Sequence, residues 1–236
     1  MNTSDRFWNS VGDYNRKLGD YSTALARAEV NFARKDFDNA LLDLNFYLEK
    51  YVDSIEALTM RAIVLQRISN FEQALVDYES IFKLEPDNKN FERIFQYVSC
   101  LYETNKVDKA LKEIDKIIIN DKKYILAYFL KGSLLILAKQ FDKAFYYYTK
   151  TIEFDDQFGD AHAMNGQCRY MLEDWNSAIF HFEKVISLGL NLNMQLRLQY
   201  GIALCKIGQK IKGTLEIKKS LLEGNEEANY FLKLYE

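Results

Sequence analysis

The sequence predicts an all-α fold: an α-solenoid of about six stacked helical hairpins, with an extra helix at each end. Three observations carry this. An alanine recurs at Ala40, Ala74, Ala110, Ala144 and Ala178, in steps of 34, 36, 34 and 34 residues, and a fixed period of this length marks a repeat architecture. Within a period the apolar residues follow helical spacing, as where Phe71, Ala74, Leu75, Tyr78, Ile81 and Phe82 fall on one helix face. The chain of 236 residues has one proline and ten glycines, too few for the many turns of an all-β chain, and period-2 alternation is absent.

Each element follows from the repeat. The alanine opens a second helix just after a turn, in the strings KDFDNAL, SNFEQAL, NKVDKAL, KQFDKAF and EDWNSAI. Twelve residues upstream lies another mostly small position: Ala28, Ala62, Val98, Gly132 and Gly166. A weaker sixth copy has Gly201 and Gly213 in these places. Small residues on facing helices let two antiparallel backbones approach, and large apolar neighbours fill the adjoining groove. The repeats are placed at 21–54, 55–88, 91–124, 125–158, 159–192 and 194–227, with a two-residue insertion within the stretch Asn88-Lys89-Asn90. Residues 1–20 form an N-terminal capping segment whose helix, over 5–18, packs on a helix at 21–35. Residues 228–236 begin a closing helix, which a solenoid needs to cover its last apolar face.

The unit resembles the tetratricopeptide repeat family, and the resemblance implies that the solenoid is right-handed. The period of 34, the small residue in the first helix, the aromatic-x-x-alanine opening of the second and the closing Pro86 are its marks. The family's aromatic four residues after the alanine stands here as Leu44, Tyr78, Ile114, Tyr148 and Phe182. Its early tryptophan is replaced by Ala24, Leu58, Ile94, Tyr128 and His162. Trp8-Asn9-Ser10-Val11-Gly12 matches the family's opening better than any later copy, so the N-terminal helices have two competing registers.

Composition excludes several functions. A net charge of −3 with interspersed signs argues against nucleic acid, because phosphate binding requires a clustered basic excess. The three cysteines are an odd number without close spacing, so neither a disulfide framework nor a zinc site is expected. The N-terminus lacks an apolar signal core, and a cytoplasmic, reducing location is the expectation. The most apolar run, 125–138, is too short to span a membrane. Cys100 and Cys168 fall in core phase, Cys205 in groove phase without a neighbouring base. His162 and His181 make a poor metal site. No catalytic or phosphate-binding motif is present, so no enzyme activity, cofactor or metal is expected.

The resemblance implies that the first helices line an inner groove. Carried over by position, its middle holds Phe95, Tyr102, Phe129, Ser133, Ile136, Gln167 and Tyr170, and its last copy Gln195, Leu198, Ile202 and Cys205. An aromatic surface of this kind suits a protein or peptide contact. The expected function is therefore a non-catalytic interaction scaffold that holds a partner segment in the groove. The alternative is an obligate subunit of a larger assembly that uses convex or end surfaces. The family's carboxylate clamp for chaperone tails needs a lysine and an asparagine where this chain has Leu25/Glu29, Thr59/Ile63, Phe95/Ser99 and Phe129/Ser133, so that role is not expected.

Overall fold

The computed structural model describes residues 3–86 and 90–235, with side chains from Ser10 onward. Among these residues there are fourteen α-helices and no strand. They run α1 (Thr3–Leu18), α2 (Ala24–Ala33), α3 (Phe37–Lys50), α4 (Ile55–Arg67), α5 (Phe71–Leu84), α6 (Phe91–Glu103) and α7 (Val107–Asn120). Then follow α8 (Ile125–Leu137), α9 (Phe141–Phe154), α10 (Gly159–Met171), α11 (Trp175–Ser187), α12 (Met194–Lys206), α13 (Lys210–Leu222) and α14 (Ala228–Tyr235). Packing groups them into two compact units, residues up to Ala110 and from Leu111 onward. Asn88 and Lys89 of the expected insertion lie outside the described residues.

The small positions do what their size requires. Ala28, Ala62, Val98, Ala40, Ala74, Ala110, Ala144 and Ala178 are completely buried. At Gly132 a Cβ would stand 2.7 Å from the Tyr148 ring, and at Gly166 it would stand 2.6 Å from the Phe182 ring. Each glycine thus makes room for the large residue sixteen places later. Gly201 and Gly213 go further: a Cβ on either would lie within 2.8 Å of the other's carbonyl oxygen, so the two backbones of the α12–α13 hairpin touch.

The hairpin turns share one local device. Lys35, Ser69, Asn105, Lys139 and Glu173 have φ between 56° and 62°, and Gly208 has φ 87°. Each ends a first helix with paired backbone hydrogen bonds. In the α8–α9 turn, Lys139 N donates to Ile136 O at 2.9 Å and Gln140 N donates to Leu135 O at 2.8 Å. Two helix-end carbonyls are thereby satisfied by the left-handed cap. The next helix is started by Asp36 and Asp174, whose carboxylates accept from the N–H groups of Asn39 and Ser177.

In the first unit, α2 begins at Ala24 rather than Tyr21, and α1 does not pack on α2 alone. Arg16 of α1 pairs with Asp43 of α3, Asn15 donates to Thr23 at 3.2 Å, and Gly12 approaches the Arg27 guanidinium. Asp43 is nearly completely buried. It also accepts from Arg27 at 2.7 and 3.1 Å and from Asn31 at 3.3 Å. One repeat later, buried Asp77 is gripped by two Arg61 donors, Nε at 2.9 Å and Nη2 at 2.6 Å, while Nη1 donates to Asn45 at 3.0 Å. Charges this deep persist because every carboxylate oxygen is paired.

Candidate functional site

The expected contact residues fall on three first helices: Phe95 and Tyr102 on α6 of the first unit, and the other five on α8 and α10 of the second. All seven are half-buried. Each has one side held by the protein and one edge open.

In the second unit Phe129 is held by two aromatic neighbours. Its ring lies 5.4 Å from Tyr148 and 5.1 Å from Phe158, tilted against both. Ser133 Oγ hydrogen-bonds Phe129 O at 3.2 Å and the Tyr148 hydroxyl at 3.1 Å. Ile136 packs on the same core of Leu135, Ala144 and Tyr148. Tyr170 meets Trp175 edge-on at 5.5 Å, and burial raises its phenol pKa. These contacts fix the aromatic rotamers.

The expected groove ends early. Leu198, Ile202 and Cys205, placed on the inner face by sequence, are 1%, 3% and 6% exposed. Helix α14 covers them with Ala228 and Leu232, and Phe231, Tyr235 and Tyr170 close the edges. The closing helix lies across the inner face of the last hairpin, so Tyr170 is partly an internal contact.

In the first unit the inner positions Thr59, Ile63 and Gln66 line a cavity of about 460 Å³ together with Arg67, Asn90, Arg93 and Gln96. Gln66 is pinned there. It accepts from the Tyr78 hydroxyl at 3.0 Å and donates to Gln96 O at 3.3 Å. Arg93 pairs with Glu85 at 2.6 Å. The wall sets amide and guanidinium groups beside the apolar surface of Ile63 and Tyr78, a mixture the sequence did not signal because its residues come from different helices.

The remaining reactive groups are interior. The three cysteines are unpaired and buried, and burial pushes the thiols of Cys100 and Cys168 up to about 12. His162 is buried, as its family position implied, and faces His181. Among the described residues no cluster of three or more metal-type side chains occurs, and no helix is long and apolar enough to cross a membrane.

No protein-family model matches the chain. A tetratricopeptide repeat protein from Parabacteroides merdae superposes with a TM-score of 0.64 at 19% identity, over 92% of this chain and 84% of that one. A MamA double mutant gives 0.66 at 20%, over 72% and 94%. The chain has the tetratricopeptide-repeat fold. A third such structure, YrrB, described as having an unusual peptide-binding site, gives 0.61 at 17% identity over 77% of this chain and 91% of that one. In sequence, the chain is 26% identical over 180 residues to the DnaJ protein P58IPK homolog of Arabidopsis thaliana and to P58IPK homolog B of rice, Oryza sativa subsp. japonica. These matches take in 72% of this chain but only 37% and 38% of the relatives, so the chain spans little more than a third of their length.

Proposed function

We propose that the chain is a non-catalytic protein-interaction scaffold. It holds partner segments on the inner faces of its first helices, through one subsite in each compact unit. The observation that carries this is the set of half-covered aromatic anchors, Phe129 above all, fixed from behind and open in front. Rigid aromatics of this kind dominate contact energies at protein interfaces. The subsite of the second unit is Phe129, Ser133, Ile136, Gln167 and Tyr170, and it takes an apolar segment. In the first unit Phe95 and Tyr102 form the corresponding patch. The peptide-binding site ascribed to YrrB supports a peptide as ligand. The DnaJ name of the sequence relatives supports a chaperone-linked setting. A chaperone tail held by its carboxylates is not the ligand proposed, since the lysine–asparagine pairs are missing.

A second reading has an observation of its own. Leu42 and Val76 in the first unit, and Tyr146 and Phe180 in the second, occupy one repeat position on second helices and are 51–62% exposed. Such residues suit an assembly subunit that docks through its outer faces. The test is to place Phe129→Glu and Tyr102→Glu in one chain and Phe180→Glu in another, confirm folding by circular dichroism, and compare the partners each retains. Loss with the inner-face variant alone supports the proposal. Full retention there, with loss at Phe180→Glu, transfers the function to the outer face.

A further inference from the structure

The two histidines of the chain face each other across one hairpin. His162 sits on α10 and His181 on α11, with Nδ1 atoms 3.2 Å apart and ring centroids 5.5 Å apart. His162 Nε2 lies 3.2 Å from the carbonyl oxygen of Asp156, in the turn before α10. A carbonyl accepts only, so His162 carries its proton on Nε2 and its Nδ1 is a bare lone pair. His181 then carries its proton on Nδ1 and donates it to His162. The neutral pair thus links the turn, α10 and α11 through two hydrogen bonds.

We propose that His162 and His181 form an acid-operated latch on the α10–α11 hairpin, closed while the two rings share one proton along the Nδ1···Nδ1 line and open when both rings are charged. With a proton on each Nδ1 the contact becomes two donors and two positive charges at hydrogen-bond distance. The groups around the pair offset that charge only in part. From α9 the contact is the Phe145 ring, edge-on to His181 at 5.9 Å, and Phe180 of α11 stands edge-on at 5.2 Å. The cations nearby are Arg169 of α10, stacked 3.6 Å over Phe145, and Lys184 of α11. The anions are Asp156 and the α11 cap Asp174, whose carboxylate already accepts from Ser177 N. Burial is the main cause that lowers the pKa of both rings, His181 to about 4, with His162 and then Arg169 adding like-charge repulsion at His181.

Opening returns each ring toward its ordinary pKa near 6.5. The open state therefore binds more protons, and the hairpin loses stability as pH falls from about 6.5 toward 4. Helix α10 also carries Gln167 and Tyr170, so an open latch loosens that inner face; this link to binding rests on the function proposed above.

The test is amide hydrogen exchange of the full chain from pH 7 to pH 4.5, corrected for intrinsic rates, with ring titration of both histidines by NMR. The expected opening constant of α10–α11 amides rises about tenfold per pH unit for one histidine released, and up to about a hundredfold for two. The α4–α5 hairpin of the first unit, which holds no histidine, shows no such slope. His162→Gln/His181→Asn keeps hydrogen-bonding groups without the charge, and His162→Phe/His181→Phe keeps the rings. Whichever folds is expected to be flat across this range. Histidines that both titrate near 6.5, or an unchanged slope in the double variant, overturn the proposal. Neither readout uses a partner, so failure of the latch is separate from failure of the scaffold reading.

Discussion

Gly132→Val tests the steric logic of the hairpin directly. A Cβ at residue 132 would stand 2.7 Å from Tyr148 Cε1 and 2.9 Å from Cδ1 and Cζ, whereas carbon contacts settle at roughly 3.5–4.0 Å. The ring would have to retreat by about 1 Å. It cannot do so freely, because Tyr148 is completely buried, packed on Phe129 and joined to Ser133 through its hydroxyl. Overpacking of this kind costs about 1–3 kcal/mol, with valine at the upper end. Leaving glycine inside a helix returns less than ~1 kcal/mol. The expected net loss is about 2–3 kcal/mol, or roughly 5–10 °C in Tm for a chain of this length. Tyr148→Ile alone leaves a cavity and costs about 2–3 kcal/mol. The double variant recreates Val98 and Ile114, a pair completely buried elsewhere in this chain at the same sixteen-residue offset. It is expected to lose about 2 kcal/mol in urea denaturation, well short of the sum. Single costs that add within ~0.5 kcal/mol, or a neutral Gly132→Val, would refute the reasoning.

Two further outcomes follow from buried groups. Asp77→Ala removes the carboxylate that accepts from Arg61 Nε and Nη2, while Nη1 keeps its bond to Asn45 at 3.0 Å, and is expected to cost about 1–3 kcal/mol in chemical denaturation, whereas Arg61→Met with Asp77→Leu restores most of it. Cys100 and Cys168, buried and with thiols pushed up to about 12, should resist a thiol reagent at pH 8 in the native chain and react within seconds in denaturant.

What could be read in the sequence was whatever the repeat writes at every period. The small positions were legible because close approach of two helices demands a small residue, and the demand recurs at Ala28, Ala62, Gly132 and Gly166. The half-buried placement of Phe129 and Tyr170 on first helices followed from the same phase. Features that belong to one place only were not. The Arg16–Arg27–Asp43 network joins three helices at the start of the chain. The cover that α14 places over Leu198, Ile202 and Cys205 depends on where the repeats stop. The left-handed turn residues were hidden for another reason: lysine, serine, asparagine and glutamate fill places where glycine would have announced the conformation. The facing histidines were visible as residues of one repeat, but their contact depends on how far apart two helices sit.

Those six left-handed turns have a consequence for how the chain reaches its structure. Each closes a hairpin through hydrogen bonds spanning only a few residues, so the earliest contacts are local and carry a small loop-closure penalty. Folding then has several equivalent starting points rather than one obligatory nucleus. A defect in one hairpin should slow its own neighbours first and leave hairpins farther along the chain to form at their usual rate.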